Sequence, residues 1–165
     1  MKEITLDASD IALLQRLQED ASLSNQALAA ALHISPPTCL RRVKRLQAAG
    51  LIERQIAVLN PEALAATLGH GLSAIVEVTL DRQSSEALEA FEARAIREAA
   101  VQQCYRVSPG PDFVLVVHTR DMPHYQTLAQ QLFSNDANVR NVKAFFSIKR
   151  SKFGAALPLP AEAKP

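Results

Sequence analysis

Thr38, Arg41, Arg42 and Arg45 recur at intervals of three and four residues within Ser35-Pro36-Pro37-Thr38-Cys39-Leu40-Arg41-Arg42-Val43-Lys44-Arg45-Leu46. On a helix that spacing gathers them into one stripe. A row of guanidinium groups suits two oxygen-rich targets, the O6/N7 edge of guanine and backbone phosphate. A threonine near the start of the same helix can reach a base or a phosphate. Leu40, Val43 and Leu46 are expected to face a core, which leaves the stripe to solvent. Ser35 and Pro36 open the helix and Arg54 lies beyond its end, in reach of the flanking backbone. The set expected to touch double-stranded DNA is therefore Ser35, Pro36, Thr38, Arg41, Arg42, Arg45 and Arg54. A merely solvated basic face would carry the same residues, so the elements that position the stripe decide between the two.

Those elements form a trihelical unit. Asp7 is a plausible N-cap, with Asp10 adding negative charge in the first turn and Ile11, Leu14 and Leu17 following at helical spacing. Ser24 caps a second helix with Leu28, Ala31 and Leu32 on its apolar side, and His33-Ile34 leaves room only for a tight turn. Ser35 then caps the third helix, Pro36 suits its first position, and Gly50 stops it. Leu51 to Leu59, with Ile52, Ile56 and Val58, predicts a small wing of strand. A basic third helix after a tight turn and before a wing is the arrangement that lays a recognition helix in the major groove. The first helix carries Asp7, Asp10, Glu19 and Asp20, so the basic charge is local, which the net charge of +1 conceals.

The remainder changes period. Asn60-Pro61 opens a short connecting segment, and Gly69 and Gly71 mark the next boundary. Leu72 to Leu80 alternates as a strand, Ser85 to Arg97 has helical spacing, and Val101 to Val107 and Phe113 to Thr119 are strands joined by Ser108-Pro109-Gly110-Pro111-Asp112. Pro123 to Phe133 is a helix and Val139 to Lys149 a last strand. The order βαββαβ is the ferredoxin-like split motif. The fold class is thus α+β, with a winged helix-turn-helix over 1–60, a linker over 61–70, a ferredoxin-like domain over 71–150 and a loosely packed arm over 151–165. Val114 and Val116 face the opposite side of their strand from Phe113, Leu115 and Val117. Two helices cover only one face of a four-stranded sheet, so an apolar second face implies a homodimer closed sheet on sheet.

Several function classes are disfavoured. Cys39 and Cys104 stand too far apart for a paired motif and are expected to behave as small buried hydrophobes. His33, His70, His118 and His124 are scattered, and no metal or cofactor is expected. No paired carboxylates, nucleophile with a base, or phosphate-gripping glycine loop marks an enzyme. At 48% hydrophobic the chain can build a core, yet no apolar run is long enough to span a bilayer. A soluble, cytoplasmic protein is expected.

With these residues in place, the chain resembles the Lrp/AsnC (leucine-responsive) family of transcription regulators along nearly its whole length. The matching residues are Leu6-Asp7, Asp10 and Leu14, then Ser35, Cys39, Arg42-Val43, Arg45-Leu46 and Gly50-Leu51-Ile52, then Leu59-Asn60-Pro61. In the second half they are Val101, Cys104-Tyr105, Val107-Ser108, Asp112-Phe113, Asp121-Met122 and Leu157-Pro158. Each piece alone is common; their order and spacing are specific. The resemblance implies that the second domain is the family's RAM effector module, and that dimers assemble further, commonly to octamers. It also implies that a free amino acid binds between dimers near the turn before the third RAM strand. Ser108, Gly110, Asp112 and Met122 are carried over as the effector set. One departure stands out: the family usually has glycine directly after the serine or threonine, where this chain has Pro109. Pro109 and Pro111 remove two N–H donors that could hold a carboxylate, and Asp112 could equally just close a β-turn. Two other readings share parts of the pattern: an architectural, nucleoid-type DNA binder, and a sirohaem-decarboxylase-like enzyme, for which an arginine stripe has no use.

Overall fold

In the computed structural model, which describes residues 4–69 and 71–160, the chain divides into two compact units. Residues 4–58 with 152–160 form the first, and 59–69 with 71–151 the second. His70 and the end of the arm, 161–165, lie outside the described residues.

The first unit contains α1 (Ala8–Glu19), α2 (Asn25–Ala31) and α3 (Pro36–Ala48). Its helix ends follow the expected chemistry except at Ser35, which stands at the start of α3 without a side-chain cap bond. Asp7 accepts from the Asp10 N–H at 2.9 Å while the Asp10 carboxylate accepts from the Asp7 N–H at 3.1 Å, a reciprocal capping box. Ser24 caps α2 through the Ala27 N–H. Gly50, at φ +74°, closes α3: the N–H groups of Gly50 and Leu51 return to the carbonyls of Gln47 and Leu46. Leu13, Leu17, Leu28, Ala29, Cys39 and Leu46 form the core, with Val43 and Ile52 packed against it.

Two further expectations change here. Cys39, not Leu40, is the sealed residue of the first turns of α3: Cys39 is 0% exposed and Leu40 45%. The inward seam is Cys39, Val43 and Leu46, which keeps the expected Val43 and Leu46 and puts Cys39 in place of Leu40. The residues beyond Ile52, expected as a wing of strand, form no strand among the described residues, and Ile56 and Val58 stay exposed. Alternation alone makes no strand where no neighbour supplies ladder hydrogen bonds. In the arm the Gln18 side chain both donates to the Leu157 carbonyl and accepts from the Leu157 N–H, each at 2.9 Å. Leu157 itself remains exposed, so this contact is polar.

The second unit opens with α4 (Pro61–Leu68), capped by the Asn60 side chain, in place of the expected linker. Then come β1 (Leu72–Leu80), α5 (Ser85–Ala95), β2 (Val101–Arg106), β3 (Phe113–Thr119), α6 (Met122–Ala129) with a π-helical turn at Gln130–Ser134, and β4 (Val139–Phe146). The antiparallel sheet has the order β2-β3-β1-β4, the ferredoxin-like arrangement. Ala74, Val76, Val78 and Leu80 of β1 and Phe113, Leu115 and Val117 of β3 face a core shared with Phe91, Tyr125, Leu128, Leu132 and Phe133. On the other face the register aligns Phe145, Ile75 and Val116 in one row. Tyr105, Val114, Glu77 and Lys143 form the next. Ile75, Tyr105 and Phe145 are about half exposed there.

Candidate nucleic-acid interface

Burial of Cys39 in place of Leu40 shifts the inward side of α3 and with it the placing of its cations. With Cys39, Val43 and Leu46 inward, Arg42 falls on the edge of the seam rather than in the solvent stripe. Its guanidinium reaches the carboxylates of Asp10 and Asp7, both at 2.7 Å, and only 23% of its side chain is exposed. Arg45 also bonds Asp10, with 43% of its side chain open. Asp10 is fully buried, and its two oxygens serve Arg42, Arg45 and the Asp7 N–H together. Arg42, expected as a DNA contact, joins α1 to α3 in the structure, because a buried carboxylate needs a cation within reach.

What remains outward is a compact basic face. Arg41 and Lys44 are exposed, opposite the buried seam, and Arg45 and the half-buried Thr38 flank them. A shallow groove lined by Asp7, Arg41, Arg42 and Arg45 runs alongside. Ser35 and Pro36 are exposed at the helix start. Arg54 is exposed beyond Gly50, 3.9 Å from Glu53. Lys44 falls outside the stripe expected from sequence because that stripe assumes the Leu40 phase.

The expected effector residues separate into two groups. Ser108 and Gly110 are exposed in the turn before β3; the Ser108–Pro109 bond is cis and Gly110 has φ +124°, where an L side chain would be strained. Asp112 ends this turn as a junction: its carboxylate accepts from the Leu80 N–H at 2.7 Å, its N–H donates to Val78 and its carbonyl accepts from Val107. One carboxylate oxygen is therefore committed to closing the sheet. Met122, half exposed, starts α6 at the far end of β3. The seven residues of β3 put roughly 20 Å between that end and the turn. Within one chain Met122 and Asp112 do not share a site.

Among the described residues no group of three or more His, Cys, Asp or Glu could hold a metal ion, and no helix is long and apolar enough to cross a membrane. A family model for a winged helix-turn-helix DNA-binding domain matches residues 6–53, and one for the Lrp/AsnC ligand binding domain matches residues 73–157. The chain belongs to the Lrp/AsnC family. It is similar to an HTH-type transcriptional regulator of Haemophilus influenzae, 33% identical over 94% of this chain and 90% of the relative. It is 35% identical to the leucine-responsive regulatory protein of Rhizobium meliloti, over 90% and 93% of the two chains. A transcriptional regulator from Neisseria meningitidis, solved as a complex with L-methionine, superimposes with a TM-score of 0.80 at 30% identity, covering 93% of this chain and 97% of that one. The protein is thus an HTH-type transcription regulator of the Lrp/AsnC family with a winged-helix DNA-binding domain and an effector-type α+β domain.

In this Lrp/AsnC regulator the Asp10 cluster couples stability to pH. Burial pushes the Asp10 carboxyl up, but Arg45, the Asp7 N–H and Arg42 outweigh it and hold the group below the usual carboxylate range. A carboxyl with a lowered folded-state pKa stabilises the fold above its unfolded value of about 3.9, and that contribution is lost as pH falls through the lower folded value. The urea midpoint is therefore expected to fall on acidification below about pH 5. In Asp10→Asn that acid limb should be shallower, which urea titrations across pH would measure.

Proposed function

We propose that this regulator binds duplex DNA sequence-specifically as a homodimer, through the outward face of α3, and that a small amino acid modulates its assembly or its DNA affinity. The observation that carries the reading is the outward set of Arg41, Lys44, Arg45 and Thr38 on a helix whose inner side is locked to α1. Arg41 is assigned to a guanine edge, Lys44, Arg45 and Arg54 to phosphates, and Thr38 with Ser35 and Pro36 to the groove wall. Arg42 acts as a positioning residue through Asp10. A test compares affinity for the region upstream of the protein's own gene with random DNA at fixed salt. Preference for the upstream region is expected; equal affinity would favour an architectural DNA binder. A regulator rather than an enzyme is proposed, acting in the cytoplasm, and a tetrapyrrole absorption band without DNA binding would reverse that choice.

Dimerisation is assigned to the open sheet face of Ile75, Val114, Val116, Tyr105 and Phe145. An apolar face of this kind is stable in water when a second copy covers it. Ile75→Asp is expected to shift the protein to monomer in sedimentation velocity with its secondary structure intact. A dimer of unchanged strength would refute the assignment.

The effector reading rests on the family domain and on the methionine complex of the Neisseria relative. Because Met122 and the Ser108–Asp112 turn stand at opposite ends of β3, a shared site requires residues from two copies, consistent with binding between dimers in a larger, octamer-type assembly. Asp112→Ala would leave the Leu80 N–H without its partner, at a cost of about 1–3 kcal/mol. Asp112→Asn separates the roles, since it keeps an acceptor for Leu80 but removes the charge that an ammonium needs. The expectation is near-native melting with loss of the amino-acid-induced thermal shift. A retained shift would remove Asp112 from the site.

A further inference from the structure

The outward face of α3 is not uniformly basic. Its first two turns present Pro36, Pro37 and Leu40, all exposed, ahead of Arg41 and Lys44. The prolines occupy the first helical positions, so two of the backbone N–H groups that a helix start ordinarily offers to phosphate are missing. Ser35, the N-cap residue, makes no capping bond; its hydroxyl donates to Thr38 Oγ1 at 2.9 Å, which ties up the Ser35 proton and leaves Thr38 its own. The leading end of this helix therefore has fewer donors than an ordinary helix start and is rich in carbon, with cations immediately behind it. In the major groove the exposed apolar group is the C5-methyl of thymine.

We infer that Leu40, flanked by Pro37, packs on thymine methyl groups and makes the helix selective for thymine beneath its leading turns. The inference rests on the reading that α3 enters the major groove. Lys44 on phosphate fixes the register of the helix on the duplex without base preference, and Arg41 on a guanine edge reads a different base from the one beneath Leu40. Cytosine turns an N4 amino donor toward the same place. An isobutyl group strips water from that donor without replacing its hydrogen bond, so the selection has a repulsive half as well.

The test uses full-length protein and a duplex enriched by it from a randomised library. Replacing dT by dU, one position at a time, removes the methyl and leaves pairing and charge unchanged. At the thymines beneath the helix tip, wild type is expected to lose roughly fourfold in affinity per methyl, the value of about one buried carbon. Leu40→Ala should bind the thymine duplex more weakly and become indifferent to uracil, whereas Arg41→Ala should bind more weakly yet stay sensitive. Leu40→Gln, which keeps the bulk, should lose the sensitivity too, with thermal melting confirming that it folds. An enriched site that tolerates uracil everywhere, or a folded Leu40 variant as sensitive as wild type, overturns the inference. A selection that enriches no sequence instead overturns the proposed sequence-specific binding, and this inference with it.

Discussion

Asp10→Ala is expected to lower the stability of the helical unit by about 1–3 kcal/mol, because Arg42 keeps only its contact with Asp7, Arg45 is left to solvent and α1 loses part of its cap. Asp10 is fully buried and holds Arg42 and Arg45 of α3 against the start of α1. Its removal also deletes one half of the capping box that begins α1. Domains of this size are stable by only about 5–15 kcal/mol, so a sizeable part of the fold's margin depends on one carboxylate. Urea denaturation followed by circular dichroism measures the effect. Arg42→Ala should fall in the same direction, and its loss of DNA binding should track its loss of stability. If Arg42→Ala melts like wild type while DNA affinity collapses, Arg42 is a DNA contact after all.

Arg41→Ala is the complementary case. Arg41 is exposed on the outward face of α3, so its removal should change stability by no more than about 0.5 kcal/mol. If it pairs with a guanine edge, affinity for the preferred duplex should drop by about 1–3 kcal/mol, roughly 5- to 150-fold. Lys44→Ala should act differently. It should weaken all sequences alike and flatten the plot of log K against log salt by about 0.9 for the one phosphate that Lys44 neutralises. Titrations at several salt concentrations separate the two roles. An Arg41→Ala protein with wild-type affinity would mean that α3 is not the reading element.

Much of the fold is legible in the sequence because local signals agree with tertiary needs. Asp7, Ser24 and Gly50 sit at helix ends for reasons that lie within a few residues of each. The alternation in Leu72 to Leu80 and Phe113 to Thr119 marks strands buried on one face, and both match the strands found. The phase of α3 is not legible. Val43 and Leu46 fit a seam with either Cys39 or Leu40, and adjacent apolar residues give periodicity nothing to choose by. The choice is made across the unit, by Asp10, whose need for a cation turns Arg42 inward. The same long-range logic hides the separation of Met122 from Asp112, since a family match along the chain carries no distance. The helix over Pro61–Leu68 is readable, with Asn60 as its cap and Pro61 in its first turn, but its shortness before Gly69 makes it look like a connector.

Whether the outward face of α3 reads DNA sequence is decided by fluorescence anisotropy. Wild type, Arg41→Ala and Lys44→Ala are titrated on the preferred duplex and on a scrambled duplex at one salt concentration. Wild type should prefer its site by about a thousandfold or more. Arg41→Ala should lose much of that preference, and Lys44→Ala should lose affinity but keep it. Equal binding of both duplexes by wild type, or an undiminished preference in Arg41→Ala, would contradict the account.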